Sequence, residues 1–388
     1  MALFYHSLVS DWNHGNAHFL RGVVAELLAR GVEVDVYEPR DGWSLSMLRQ
    51  EHGERPLARF AEAYAELRTN FYDPQTIDVE QVLEGVDLAI VHEWNGHDLV
   101  RRVGEYRERR RDFRVLFHDT HHRCVTDEAG VSAYALGPYD GTLAFGGVIR
   151  DRYLERGWTR RAWTWHEAAD TRVFRPLPPS MPRRDLVWIG NWGDDERTAE
   201  LHEFLLQPIA DLSLSADIYG VRYPQEAVAA VEKAGARYRG WLANFDAPQV
   251  FADHRVTVHV PRRPYRESLV GIPTIRPFEA LACGIPLVSM AWDDCEGLFR
   301  PGEDYLVVRN GREMTDRLRE ILSDESLARS LARSGLETIR AKHTCAHRVD
   351  ELLGICREIG LDVPMKQIAS AAVGRNDSPA IARTERHV

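Results

Sequence analysis

The run Thr274-Ile275-Arg276-Pro277-Phe278-Glu279-Ala280-Leu281-Ala282-Cys283-Gly284-Ile285-Pro286 sets an arginine and a glutamate at the start of a short helical stretch. Gly284 suits the helix end, and Pro286 leads into an apolar strand. The first turn of a helix offers free N–H groups and a partial positive charge, which suit a diphosphate. Thr274 and Ile275 stand at that turn. Arg276 adds a planar fork that can hold two phosphate oxygens. Glu279, about one turn further, can accept two hydrogen bonds from a ribose diol. The plainer reading of the same residues is a surface helix with a capping glutamate.

The segment resembles the donor-site motif of GT-B glycosyltransferases, an E-A-x-A-x-G-x-P-x-V run behind a phosphate-binding loop. The arginine ahead of Phe-Glu-Ala is similar to the spore-maturation-type and family-4-like group, with its R-x-F-E-A-x-A-C-G-x-P pattern. That resemblance covers about 185–345 well and the N-terminal part loosely. It implies that Glu279 holds the ribose of a nucleotide. It also directs attention to Gly190-Asn191-Trp192-Gly193, a glycine loop between strand and helix, with Arg197 behind it for the diphosphate. Tyr238-Arg239-Gly240-Trp241-Leu242 would lie against the nucleobase, Trp241 and Leu242 covering the ring. Arg262 and Arg263 follow a strand toward the same cleft, where they could equally cap the strand end. Arg197 could instead be a solvated helix residue, and Trp241 a core residue.

The resemblance assigns the acceptor to the N-terminal half. Gly15-Asn16 follows the first strand and would approach the transferred sugar, with His14 and His18 beside it. Asn16 could instead serve as a helix N-cap. His118-Asp119 follows the fourth-strand position, where the family's histidine touches the donor sugar. The catalytic candidates are thus His118, Asp119 and His14. Asp11, His14 or Asp119 could act as a base if the reaction inverted configuration. His92-Glu93-Trp94-Asn95 also ends a strand and faces the acceptor side. His166–Phe174 resembles the family's segment before the interdomain crossing, its acidic residues fixing the linker. Family-4-type relatives often carry two glutamates eight positions apart, but here Gly271 stands eight before Glu279. The H-x-x-H-H spacing at His118, His121 and His122 is not a zinc pattern, and no Cys or Glu completes it nearby. No metal site is expected.

The elements that must position these residues alternate strand with helix. Strands are expected at 2–8, 32–37, 86–91, 113–117, 141–145 and 161–165, and residues 43–84 are expected to be helical. Phe19, Val23, Val24, Leu27 and Leu28 repeat at helical spacing between the first two strands, and Gly31 ends that helix. Pro176, Pro178, Pro179 and Pro182 mark a linker. The alternation restarts with strands at 185–189, 216–219, 236–238, 255–260, 286–290 and 305–308, then turns helical from Gly311. The expected fold is α/β, GT-B: two Rossmann-like domains whose parallel sheets face each other across a cleft. The expected division is 1–175 (acceptor side), 176–184 (linker), 185–345 (nucleotide-sugar domain) and 346–364 (a helix packing back on the N-terminal domain). A tail at 365–388 lacks a period and is expected to be disordered or to drape over the body.

The chain has 388 residues, long for a single core, so two domains are expected. Its formal charge of −10 argues against a broad nucleic-acid surface, though not against a small basic pocket. No run approaches the ~20 apolar residues of a membrane helix, and no signal peptide is visible. Five cysteines without a CxxC pair fit a reduced, cytoplasmic compartment. The expected function is a hexosyltransferase moving a sugar from a nucleoside diphosphate sugar, UDP first, to an unknown acceptor. It would need no cofactor or metal and would retain configuration. A nucleotide-sugar epimerase on the same scaffold and a non-catalytic nucleotide-sugar-binding protein stay open.

Overall fold

A computed structural model describes residues 1–363. The expected tail lies outside the described residues. The apolar runs become two parallel sheets. The first holds β1 (Ala2–Phe4), β2 (Asp35–Pro39), β3 (Asn70–Tyr72), β4 (Leu88–His92), β5 (Arg114–Asp119), β6 (Gly141–Ala144) and β7 (Ala162–Thr164). Its spatial order is β3-β2-β1-β4-β5-β6-β7, every pair parallel. The second holds β8 (Arg184–Ile189), β9 (Ala216–Tyr219), β10 (Arg237–Gly240), β11 (His254–His259), β12 (Leu287–Met290) and β13 (Leu306–Val308). Its order is β10-β9-β8-β11-β12-β13, again all parallel. This is the GT-B fold. Helices cover both faces of such sheets, so the inner strands are continuous apolar runs: all five residues of β4 are buried.

Each sheet reverses its winding beside its first strand, between β1 and β4 and between β8 and β11. Chain leaving the carboxyl ends there diverges and opens a crevice. The loops after β1, β4, β5, β8 and β11 are therefore the ones that can carry a site.

The Ala17–Ala29 helix buries Phe19, Leu20, Val23, Val24 and Leu27. Gly22 lets the last helix, Cys345–Glu358, cross it closely: a Cβ at Gly22 would lie 2.5 Å from Cys345 Sγ. The Trp165 indole donates to the Arg348 carbonyl at 2.8 Å, and Ala169 exchanges backbone hydrogen bonds with His343 and Cys345. The C-terminal helix thus lies on the N-terminal domain.

Two expectations change. β1 stops at Phe4, and residues 5–10 turn across the sheet end, where Leu8 N–H donates to Glu38 at 2.8 Å. The 43–84 stretch contains β3, a three-residue edge strand with Asn70 and Phe71 exposed. Too short to alternate and solvated on its edge, it leaves no periodic signal. Among the described residues no helix is long and apolar enough to cross a membrane.

Candidate functional site

The sheets face a cleft of about 830 Å3 lined by both domains. Its C-terminal wall is arginine-rich. Arg197, at the end of the loop after β8, donates to the carbonyls of Val260 (3.1 Å) and Asn191 (2.6 Å) and lies over the Trp188 ring. No carboxylate of the described residues lies within ion-pair distance of it. Burial, Arg262 and Arg276 lower its pKa to about 9, although Tyr223 and Glu196 act the other way. A guanidinium held by carbonyls beside two others is a site short of negative charge. Arg262 pairs with Glu196 at 2.5 Å, and Arg276 with Glu279.

The elements meet here for local reasons. Gly220 lets the β9 end touch the β8 loop, since a Cβ there would lie 2.2 Å from the Gly190 carbonyl. The Asn191 side chain accepts from Val221 N–H at 3.0 Å and donates to Asn13 across the cleft. Thr274 starts the Ile275–Ala282 helix at φ 59°, ψ −178°. That region is almost glycine-only, and a β-branched residue there is strained. Ile275 packs against Gly15, whose missing Cβ would lie 3.4 Å from Ile275 Cγ2.

The N-terminal wall is aromatic and histidine-rich. His6, His14, Trp43, Trp94, His121 and His122 line it, with Trp43 and Trp94 exposed. Burial holds the imidazoles neutral: it takes His6 down to about 4, and His14 and His121 well below their ordinary value. His14 and His121 are also pressed by neighbouring cationic groups. Asn16 does not cap its helix through its side chain; its amide donates to Thr120 at 2.9 Å, tying the β1 loop to the β5 end.

Of the expected site residues, His14, Gly15, Asn16, Gly190, Asn191, Arg197, Trp241, Leu242, Arg262, Thr274, Ile275 and Arg276 line this one cleft. Three do not. His118 is fully buried, its ring against Trp165 at 4.8 Å and Phe19 at 6.3 Å, and burial lowers its pKa to about 3. Asp119 is fully buried, accepting from Tyr153 OH at 2.7 Å and His121 N–H at 3.0 Å. Both still belong to β5, and the chain leaves the sheet only after them. Glu279 is also fully buried: His18 Nδ1 lies 2.8 Å away, and Arg276 covers its other oxygen. The expected ribose ligand is therefore closed off behind Arg276.

Asp11 is no free base. It pairs with buried Arg21 at 3.0 Å and accepts from Trp241 Nε1 (3.1 Å) and Asn244 N–H (2.9 Å) across the domain boundary. Trp241 is half-buried, its ring 4.8 Å from His52. Gly271 cannot be replaced by a glutamate at its φ of 86°, and a Cβ there would meet Glu296 and Cys295. The sequence reading missed His259, Tyr265, Asn244 and the cleft-facing Glu167. His259 had a signal: like His92 and His118, it closes an apolar run at a strand's carboxyl end. Among the described residues no three His, Cys, Asp or Glu are grouped to hold a metal ion.

The fold and cleft define a two-domain GT-B protein. Residues 197–354 match the family model described as "Glycosyl transferase-like", a span shorter than half the chain. No curated protein matches. Solved structures share the architecture. Sucrose-phosphate synthase from Thermosynechococcus elongatus has a TM-score of 0.63 at 17% identity, covering 92% of this chain and 98% of that one. HepE from Anabaena, solved with UDP and glucose, gives 0.63 at 12% identity, with 92% and 98% covered. The T4 phage protein BGT, solved with UDP and Mn2+, gives 0.58 at 12%, with 93% and 99% covered. At these identities the likeness is one of fold.

Proposed function

We propose that the protein is a glycosyltransferase that moves a hexose from a nucleoside diphosphate sugar to an acceptor held by the N-terminal domain. The observation that carries this is the convergence of Arg197, Arg262 and Arg276 on the cleft, with no carboxylate of the described residues within ion-pair distance of Arg197. A departing diphosphate needs positive charge and aligned N–H groups, and the start of the Ile275–Ala282 helix adds the latter. The glycosyltransferase-like match over 197–354 and neighbours solved with UDP support UDP as the base-bearing group. Three guanidinium groups can supply the charge without a divalent ion, so activity should survive EDTA.

Retention of configuration is part of the proposal. Inversion needs a base beside the acceptor hydroxyl. Asp11 is held by Arg21, and Glu196 by Arg262 and, at 3.7 Å, His122, so neither stands free for that role. The neutral, aromatic acceptor wall suits an uncharged acceptor, and the chain's −10 charge disfavours a nucleic acid. Five free cysteines, four of them buried, fit a cytoplasmic setting.

A thermal-shift and titration screen of nucleotide sugars tests the reading. UDP-glucose is expected to bind wild-type protein. Arg197→Ala should weaken UDP roughly 10–100-fold, the range expected for losing a charge-assisted hydrogen bond. An unchanged UDP affinity in Arg197→Ala would remove the diphosphate assignment. Turnover of the nucleotide sugar without any acceptor would favour the epimerase instead.

A further inference from the structure

Glu167 sits where the chain leaves the N-terminal sheet for the linker. Its neighbours are fixed. His166 is held between the Phe145 carbonyl (3.0 Å) and Glu296 (2.9 Å), while Ala168 and Ala169 are fully buried. Glu167 itself is 5% exposed and lines the cleft, yet it makes no hydrogen bond to any described residue. Its oxygens open onto the cleft rather than onto protein partners, so a ligand there can complete the carboxyl's hydrogen bonding.

We propose that the Glu167 carboxyl is a donor-subsite group that hydrogen-bonds a hydroxyl of the transferred sugar. This rests on the glycosyltransferase reading. The partner's chemistry follows from what surrounds the carboxyl. Phosphate oxygens belong with Arg197, Arg262 and Arg276, whose charged guanidinium groups hold them better than a neutral carboxyl does. What remains of a nucleotide sugar is its hydroxyls, on the ribose or on the sugar. Glu167 belongs to the N-terminal domain and lies near Arg276 and Tyr265, whereas the loop at Trp241 and Leu242 is expected to meet the base, so the sugar is assigned.

The groups facing Glu167 also set its protonation. Burial raises its pKa to about 8, Glu279 adds to the rise, and Arg276 from the same helix opposes it. Tyr265 faces it from the Arg263–Glu267 helix as a neutral phenol, its pKa raised well above the ordinary value by burial, Glu167 adding to the rise. Below pH 8 the carboxyl is therefore neutral, an O–H donor as well as an acceptor. Above that pH it ionises beside the diphosphate and loses the donor.

The test uses calorimetric titration of the full chain with UDP-glucose and with UDP. Glu167→Gln keeps the shape and hydrogen-bonding capacity of the neutral acid; Glu167→Ala removes both. Glu167→Ala is expected to weaken UDP-glucose roughly tenfold and leave UDP unchanged, with Glu167→Gln close to wild type. Wild-type preference for UDP-glucose over UDP should fall between pH 7 and 9, and that fall should vanish in Glu167→Gln. Equal weakening of UDP and UDP-glucose in Glu167→Ala would move the contact to the ribose and overturn the sugar assignment. Unchanged UDP-glucose affinity in Glu167→Ala, with wild-type binding intact, would sink this inference alone. Failure of wild-type protein to bind either probe would sink the donor reading and this one with it.

Discussion

Arg276 and Glu279 divide one task between them. Glu279 is fully buried and holds the guanidinium of Arg276, which is 14% exposed and reaches the cleft. His18 and Asn244 brace the other Glu279 oxygen, at 2.8 Å and 3.5 Å. A guanidinium fixed by a buried carboxylate loses less rotamer freedom when it grips a phosphate. Arg276→Ala should therefore lower affinity for UDP by at least about tenfold while leaving uridine binding unchanged. Titration of both ligands checks this, and equal loss for both would deny Arg276 a phosphate role. The spacing of arginine and glutamate was readable in the sequence. That the arginine stands in front of the glutamate was not, because it depends on which side of the helix faces His18.

At the scale of elements, the strain at Thr274 belongs to the helix it begins. The backbone at φ 59° starts the Ile275–Ala282 helix without a side-chain cap, and Thr274, Ile275 and Arg276 line the cleft. Such strain costs of order 1–3 kcal/mol and is held by surrounding structure. Thr274→Gly removes the Cβ conflict, so it should raise stability by about 1 kcal/mol even after the entropy cost of glycine. Thermal unfolding measures it; a lower melting temperature in Thr274→Gly would show that the threonine side chain stabilises the turn more than its conformation costs. The strand–helix alternation that frames this turn was legible because buried parallel strands are short apolar runs. β3 was not, since three residues at a solvated edge carry no pattern. His118 and Asp119 were read as loop residues because strand ends cannot be fixed to a residue from apolarity alone, and β5 runs on through Asp119.

At the scale of the molecule, Asp11 joins the domains. It neutralises Arg21, which is fully buried among the carbonyls of Leu8 and Val9 and the rings of Phe60 and Tyr64. It also receives hydrogen bonds from Trp241 and Asn244 of the opposite domain. Arg59 and Asp246 add a bidentate pair nearby, at 2.8 Å and 2.7 Å. Asp11→Ala leaves a buried charge without its partner, so it should cost about 3–5 kcal/mol, read by urea unfolding. A cost below about 1 kcal/mol, the value of an exposed pair, would mean that water reaches Arg21.

The sequence alone determined the two-sheet plan and the arginine-bearing helix that begins at Ile275, because each depends on local periodicity or a contiguous motif. Only the tertiary structure decided which polar residues face the cleft. Facing depends on contacts between segments far apart in the chain. It turned Glu279 inward onto His18, sank His118 against Trp165, bound Asp11 to the other domain, and left Glu167, expected only to fix the linker, as an open carboxyl in the cleft.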